Sequence, residues 1–207
     1  MRVTVLAAVV GLIVGCKPRE AEAPRLAPSP GVAARSTWAL DPENSSVSFA
    51  CPHVFTVVRG LFAQPAGTVI VDVGEPAKSS VVATVQTGSI FTGVEERDTH
   101  LKSADFFDVA QFPSARFEST SVSASSATAW TVVGNLSLHG HTKPVTLAVT
   151  LSPPFPHAGG TRRAVAASAK VNRRDFGITW DFPGEPSGSV VGDEIALTLD
   201  AELVLQP

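Results

Sequence analysis

Ile195-Ala196-Leu197-Thr198-Leu199-Asp200-Ala201-Glu202-Leu203-Val204-Leu205 decides the fold class. Ile195, Leu197, Leu199, Leu203 and Leu205 oppose Thr198, Asp200 and Glu202, a period of two that sets one face of a strand in an apolar place and the other in water. The same pattern recurs upstream. Val145, Leu147, Val149 and Leu151 oppose Thr146, Ala148 and Thr150, and Trp130, Val132, Leu136 and Leu138 oppose Thr131, Asn135 and Ser137. Val47, Phe49 and Cys51 share a face, as do Val69, Val71 and Val73. Residues 80–90 are rich in Val and Thr, 115–122 alternate more weakly, and 163–171 are mostly small. This makes about eight strands with turn residues between them, a count that suits a sandwich or a closed barrel. Each strand has one apolar face, so a single enclosed interior can receive them all. Gly134, Ala164, Ala166 and Ser168 are candidates for small inward positions that leave room inside.

One segment departs from the β pattern. Thr92-Gly93-Val94-Glu95 has capping-box spacing, hydroxyl at N-cap and carboxylate at N3. Glu95 to Lys102 then reads as a short helix, acidic early and basic late as the helix dipole prefers. Ala104 to Val109 is a candidate second turn carrying Phe106 and Phe107. The insertion is expected to cover one barrel end.

The N-terminus carries a separate signal. Arg2 precedes an uncharged apolar run, Val3 to Gly15, which fits a secretory signal peptide and is short of the roughly 20 residues of a membrane-spanning helix. Ile13-Val14-Gly15-Cys16 resembles a bacterial lipobox. That resemblance implies cleavage after residue 15, a lipid on Cys16 and an exported, membrane-anchored lipoprotein. Lys17 at the second mature position favours the outer over the inner membrane. Residues 16–36, the lipidated cysteine and a stretch rich in Pro and Ala, read as a tether, leaving 37–207 as one domain. Net charge is −3, and no basic stripe suggests nucleic acid. Cys51, without a partner once Cys16 is lipidated, reads as a small buried hydrophobe.

Asp175-Phe176-Gly177 copies a kinase tripeptide, but the other kinase motifs are missing; a turn with a positive-φ glycine is the better reading. His139-Gly140-His141 offers two imidazoles without a third ligand at recognisable spacing, so it reads as a hairpin turn with exposed histidines and no metal site is expected. His53 shares parity with Phe49 and Cys51, and His100 lies on the short helix. Each either meets a ligand headgroup or anchors a loop. Arg97, Asp98, Arg173 and Asp175 read as loop staples.

Several blocks together carry a family resemblance. They are Trp38-Ala39-Leu40-Asp41-Pro42; Ser45-Ser46-Val47-Ser48-Phe49 with His53; Arg59-Gly60-Leu61-Phe62; and Arg97-Asp98-Thr99-His100-Leu101-Lys102-Ser103-Ala104-Asp105-Phe106-Phe107-Asp108. Gly134-Asn135-Leu136-Ser137-Leu138-His139-Gly140 and Asn172-Arg173-Arg174-Asp175-Phe176-Gly177-Ile178 with Trp180 complete the set. In this order they resemble the YceI-like family, polyisoprenoid-associated proteins. The resemblance implies an all-β fold: an eight-stranded antiparallel lipocalin-like β-barrel with a short helical insertion. It also implies non-covalent binding of a long apolar lipid, such as a polyisoprenoid or a quinone tail, and a homodimer. Parity and family position together nominate Phe49, Cys51, His53, His100, Phe106, Phe107, Trp130, Val132 and Leu147 as pocket residues, with no catalytic residue and no cofactor. Pro52, within the first matching block's strand, is expected to interrupt its ladder. The 11 Phe, 3 Trp and absent Tyr suit dispersion contact with few polar handles. Two other readings stay open: a filled barrel serving as an interaction module of the envelope, and a hydrolase using His53 or His100.

Overall fold

The alternating segments pair edge to edge and close on themselves. A computed structural model describes residues 31–157, 159–181 and 190–207. The signal-peptide and Cys16 readings lie outside these residues. β1 (Arg35–Leu40) and β2 (Ser46–His53) form one bent ribbon broken by a 3₁₀ turn at Pro42–Asn44. β3 (Thr56–Ala63) and β4 (Ala66–Asp72) return along it, with His53 opposite Thr56 and Arg35 opposite Asp72. β5 (Ser80–Gln86) and the two-residue β6 (Ile90–Phe91) form the third ribbon, against β4 and β3 respectively. The meander continues through β7 (Ser114–Ala124), β8 (Ala129–Leu138) and β9 (His141–Leu151). After the short β10 (Phe155–His157) come β11 (Gly160–Asn172) and β12 (Glu194–Leu205).

β12 closes the circle by pairing with β11 on one side and with β1 and β2 in tandem on the other. Every pairing is antiparallel, so the twelve sheet segments amount to a closed eight-stranded barrel. Closure leaves few edges for non-specific pairing. Among the described residues the one α-helix, α1 (Glu95–Lys102), has the bounds expected from sequence.

The interior has two levels. At the end where β1 begins, Trp38, Leu40, Val71, Val73, Val122, Trp130, Val132, Leu151, Ala201 and Leu203 pack into a buried floor. Trp38 is fully buried, and the Arg163 guanidinium lies 5.1 Å from its ring centroid. Arg163 is itself buried and donates to the Ser152 carbonyl at 3.0 Å. A cation on an indole face, away from water, is held by the ring quadrupole. Burial pulls the Arg163 pKa below its ordinary value, and its Nε has no partner. Outside the floor, Arg162 donates to Asp41 and Glu202. Arg162, helped by the Asn44 amide, holds the Asp41 carboxyl at about 2, well below the usual carboxylate value of 3.8.

Several local expectations are corrected. β11 faces inward through Arg163, Val165, Ala167, Ala169 and Val171, while Ala164, Ala166 and Ser168 are exposed. A run of small residues has too little hydropathy contrast to reveal its parity. The weak alternation of 115–122 has a physical cause: the β7–β8 register shifts between Ser119 and Ser121. This bulge flips parity, so Phe117 and Val122 both face inward. Gly134 leaves no space, because the Phe117 ring lies where a Cβ would be, at 2.4 Å. No capping box forms: Val94 is the N-cap, without a side-chain bond. Asp98 instead accepts from both the backbone and hydroxyl of Thr92. The second turn is where the sequence puts it: residues 104–109 form turns that carry Phe106 and Phe107. Pro52 stays inside β2, opposite Val57 near the strand's end, and its carbonyl accepts from Gly192. β1 starts at Arg35 and Val32 packs on the floor, so residues 32–36 belong to the barrel side of the boundary drawn at 37.

Two outcomes follow. Trp38→Ala should lower the unfolding free energy by about 3–5 kcal/mol, read by urea unfolding; a loss below roughly 1 kcal/mol would mean that Trp38 is not the floor's main filler. Because the folded Asp41 pKa is depressed, its contribution is present above pH 3.8 and is lost as pH falls towards about 2. Urea midpoints measured across that window should fall more steeply for the wild type than for Arg162→Ala; parallel slopes would contradict the assignment.

Candidate functional site

Above the floor the barrel is hollow. A cavity of about 430 Å3 occupies the half of the interior away from β1's start, a size typical of small-molecule sites. Its wall follows from strand parity. β2 contributes Val47, Phe49, Cys51 and His53; β8 contributes Leu136 and Leu138; β9 contributes Val145 and Leu147. β11 contributes Ala167, Ala169 and Val171, and β12 contributes Ile195, Leu197 and Leu199. The small side chains of Ala167 and Ala169 stand on one wall, so the room expected from small inward residues exists; of the residues nominated for it, Ser168 borders the cavity, and Gly134, Ala164 and Ala166 do not.

The helical insertion completes the wall. β6 ends after two residues and the chain leaves the sheet for α1. The turns after α1 carry Phe106 and Phe107 back to the cavity. Phe107 meets Phe62 edge-on at 5.3 Å, and Phe62 meets Phe49 at 5.7 Å. Gly60 makes this possible, since a Cβ there would lie 2.6 Å from the Phe49 ring. Phe106, His100 and Trp180 form a second cluster, with centroids 4.9–5.1 Å apart.

Few polar groups reach the cavity, and most are engaged. Arg97 donates through Nε and Nη2 to the Thr92 hydroxyl and carbonyl at 2.8 and 3.1 Å. His100 Nε2 pairs with Asp105 at 2.9 Å and is partly exposed, so it anchors a loop and lines the cavity at once. Arg173 is buried, donates to the carbonyls of Gly192, Ile178, Trp180 and Val191, and pairs with Asp193 at 3.1 Å. It is the staple expected of it. Gly177 closes that turn at φ 74°, again as read from sequence.

Cys51 donates weakly to the Pro52 carbonyl at 3.4 Å, and burial pushes its thiol pKa up, against the opposing pull of Arg173. An activated thiolate requires the reverse shift. Among the described residues no group of three or more His, Cys, Asp or Glu side chains is placed to hold a metal ion. His139 is half-buried, not exposed: its Nδ1 lies 3.0 Å from the Phe176 carbonyl and its ring meets Phe112 at 4.7 Å.

Of the nine nominated pocket residues, Phe49, Cys51, His53, His100, Phe106, Phe107 and Leu147 line the cavity. Trp130 and Val132 do not: they face inward but belong to the packed floor. Alternation reports which face a residue takes and is silent about its height along the strand. Sequence reading missed Val58, Phe62, Leu197 and Trp180 among the lining residues. Leu197 shares the parity of Leu199 and was readable; Trp180 lies outside any strand and was not.

Residues 38–203 match the YceI-like domain. The chain is 35% identical over 183 residues to Protein YceI of Salmonella arizonae, covering 85% of this chain and 91% of the relative. It is 34% identical over 159 residues to a UPF0312 protein of Pseudomonas savastanoi pv. phaseolicola, covering 75% and 83%. In fold it is similar to the crystal structure of Burkholderia cenocepacia BcnA, with a TM-score of 0.69 at 21% identity, covering 79% of this chain and 98% of that one. It is also similar to a polyisoprenoid binding domain from Saccharophagus degradans, with a TM-score of 0.59 at 16% identity, covering 82% and 98%. The match spans the closed barrel from Trp38 in the floor to Leu203 beside it, and on that ground the chain belongs to the YceI-like domain family.

Proposed function

We propose that the barrel binds a long apolar lipid, such as a polyisoprenoid or a quinone tail, without covalent chemistry. The observation that carries this reading is the cavity of about 430 Å3 walled by Phe, Leu, Ile, Val and Ala. A hydrocarbon chain leaving water for such a wall gains about 0.8 kcal/mol per buried CH2. The wall supplies almost no directional hydrogen bonding, so binding selects for chain and shape more than for headgroup. The Saccharophagus degradans neighbour, described as a polyisoprenoid binding domain, supports the same class of ligand. Storage, transfer or protection of the lipid would each be served by such binding.

A packed barrel acting only as an interaction module would leave no such space above its floor. A hydrolase needs a base and a nucleophile in mutual reach. The raised thiol pKa of Cys51 and its weak bonds to the Pro52 and Gly192 carbonyls speak for a binding wall over a nucleophile. Export on a lipidated Cys16, with the outer membrane favoured, would hold the barrel near its ligand's source.

Polyprenol delivered from cyclodextrin, followed by intrinsic tryptophan fluorescence, tests the reading because Trp180 lines the cavity. Ala169→Phe, which fills the cavity from the β11 wall, should weaken binding about tenfold or more without lowering stability. Val132→Ala, in the floor, should cost roughly 1–3 kcal/mol of stability and leave affinity unchanged. Unchanged binding by Ala169→Phe, or equal losses of affinity in both variants, would place the ligand outside the cavity.

A further inference from the structure

The large apolar side chains that the described surface exposes are not scattered. Val54 is 59% exposed, Phe55 97%, Val57 49%, Phe91 59% and Val94 47%. Val54 and Phe55 form the tip of the β2–β3 hairpin, between the paired His53 and Thr56. Val57 follows on β3, and Phe91 pairs with β3 at Leu61. The tip is built in a costly way. Val54 has φ 45°, a conformation that suits glycine or asparagine and strains a β-branched residue. Its N–H donates to the Val190 carbonyl at 3.1 Å, which fixes the tip against the neighbouring segment. Two apolar side chains are thus held outward at a turn where polar residues are the rule.

This tip borders the cavity: His53 and Val58, on either side of it, line the interior. Arg59 lies on the same strand, two residues beyond Val57. It is exposed and makes no hydrogen bond or ion pair among the described residues.

We propose that the Val54–Phe55 tip, with Val57 and Arg59, docks on a phospholipid bilayer surface, so that an apolar ligand passes between membrane and cavity without crossing water. The proposal rests on the lipid-binding reading above. A protruding aromatic tip suits a fluid interface, where rings sit at headgroup level. The unpaired Arg59 guanidinium complements the headgroup phosphates. Glu95 and Glu96 follow Val94 directly and are exposed, so docking is driven by apolar insertion and does not need net anionic lipid.

The test uses the full chain with phosphatidylcholine vesicles. In a Phe55→Trp variant, phosphatidylcholine with brominated acyl chains should quench emission beyond the quenching of the wild type's own tryptophans. A Phe55→Ser/Val57→Ser variant should take a fluorescent polyprenol from vesicles about tenfold more slowly than wild type, yet take it from cyclodextrin at the same rate. No added quenching together with equal uptake from vesicles would overturn the proposal. So would sedimentation showing that the tip is buried between two copies of the chain. Failure of both proteins to bind polyprenol from cyclodextrin would instead count against the lipid-binding reading, and the quenching result would still decide docking.

Discussion

The guanidinium of Arg163 stacked over Trp38, 5.1 Å from the ring centroid, is the constraint on which the rest of the barrel depends. Trp38 stands on β1 between two neighbouring strands, opposite Leu205 of β12 on one side and Val69 of β4 on the other. Arg163 reaches it from β11, opposite Leu203. The pair therefore ties together the strands that close the circle. A buried cation with one carbonyl partner and an unpaired Nε is costly in isolation. The Trp38 indole face and the Ser152 carbonyl offset part of that cost. With the floor filled this way, apolar side chains higher on the same strands face one another across empty space, and the barrel is dense at one end and hollow at the other.

The hollow half follows from how the ribbons end. β1 and β4 belong to the floor, whereas β2 and β3 carry the wall upward and β6 stops after two residues. The chain leaves the sheet there, and α1 with its following turns brings Phe106 and Phe107 to the wall. On the other side, Arg173 gathers the carbonyls of Gly192, Ile178, Trp180 and Val191. That buried cation, paired with Asp193, also binds these four main-chain carbonyls and holds the loop segments that bear Ile178, Trp180 and Val191 against the cavity. Charged groups at this end shape the wall more than they line it, which leaves the cavity apolar.

Strand faces were legible in the sequence wherever large apolar residues alternate with polar ones, as in residues 145–151 and 195–205. Legibility failed where side-chain contrast is low, so β11 was read one residue out of phase, and where a bulge in β7 resets the period. The helix was legible in its extent but not in its cap, because Asp98 competes successfully for Thr92. Pocket residues were legible by face alone. Trp130 and Val132 share parity with Leu136 and Leu138, but the first two pack in the floor and the last two line the cavity. Height along a tilted strand depends on register with its neighbours, and one strand's pattern does not carry that information. Trp180 and Val191 reach the cavity from loops, which no periodicity marks.

The central claim is that the hollow half holds a long apolar molecule. Native mass spectrometry of the chain purified from cells without detergent, followed by organic extraction and identification of whatever is released, tests it most directly. The account predicts a stoichiometric long-chain isoprenoid or quinone that leaves with the organic phase. A clean mass for the protein alone, still clean after incubation with polyprenols and quinones, would contradict it.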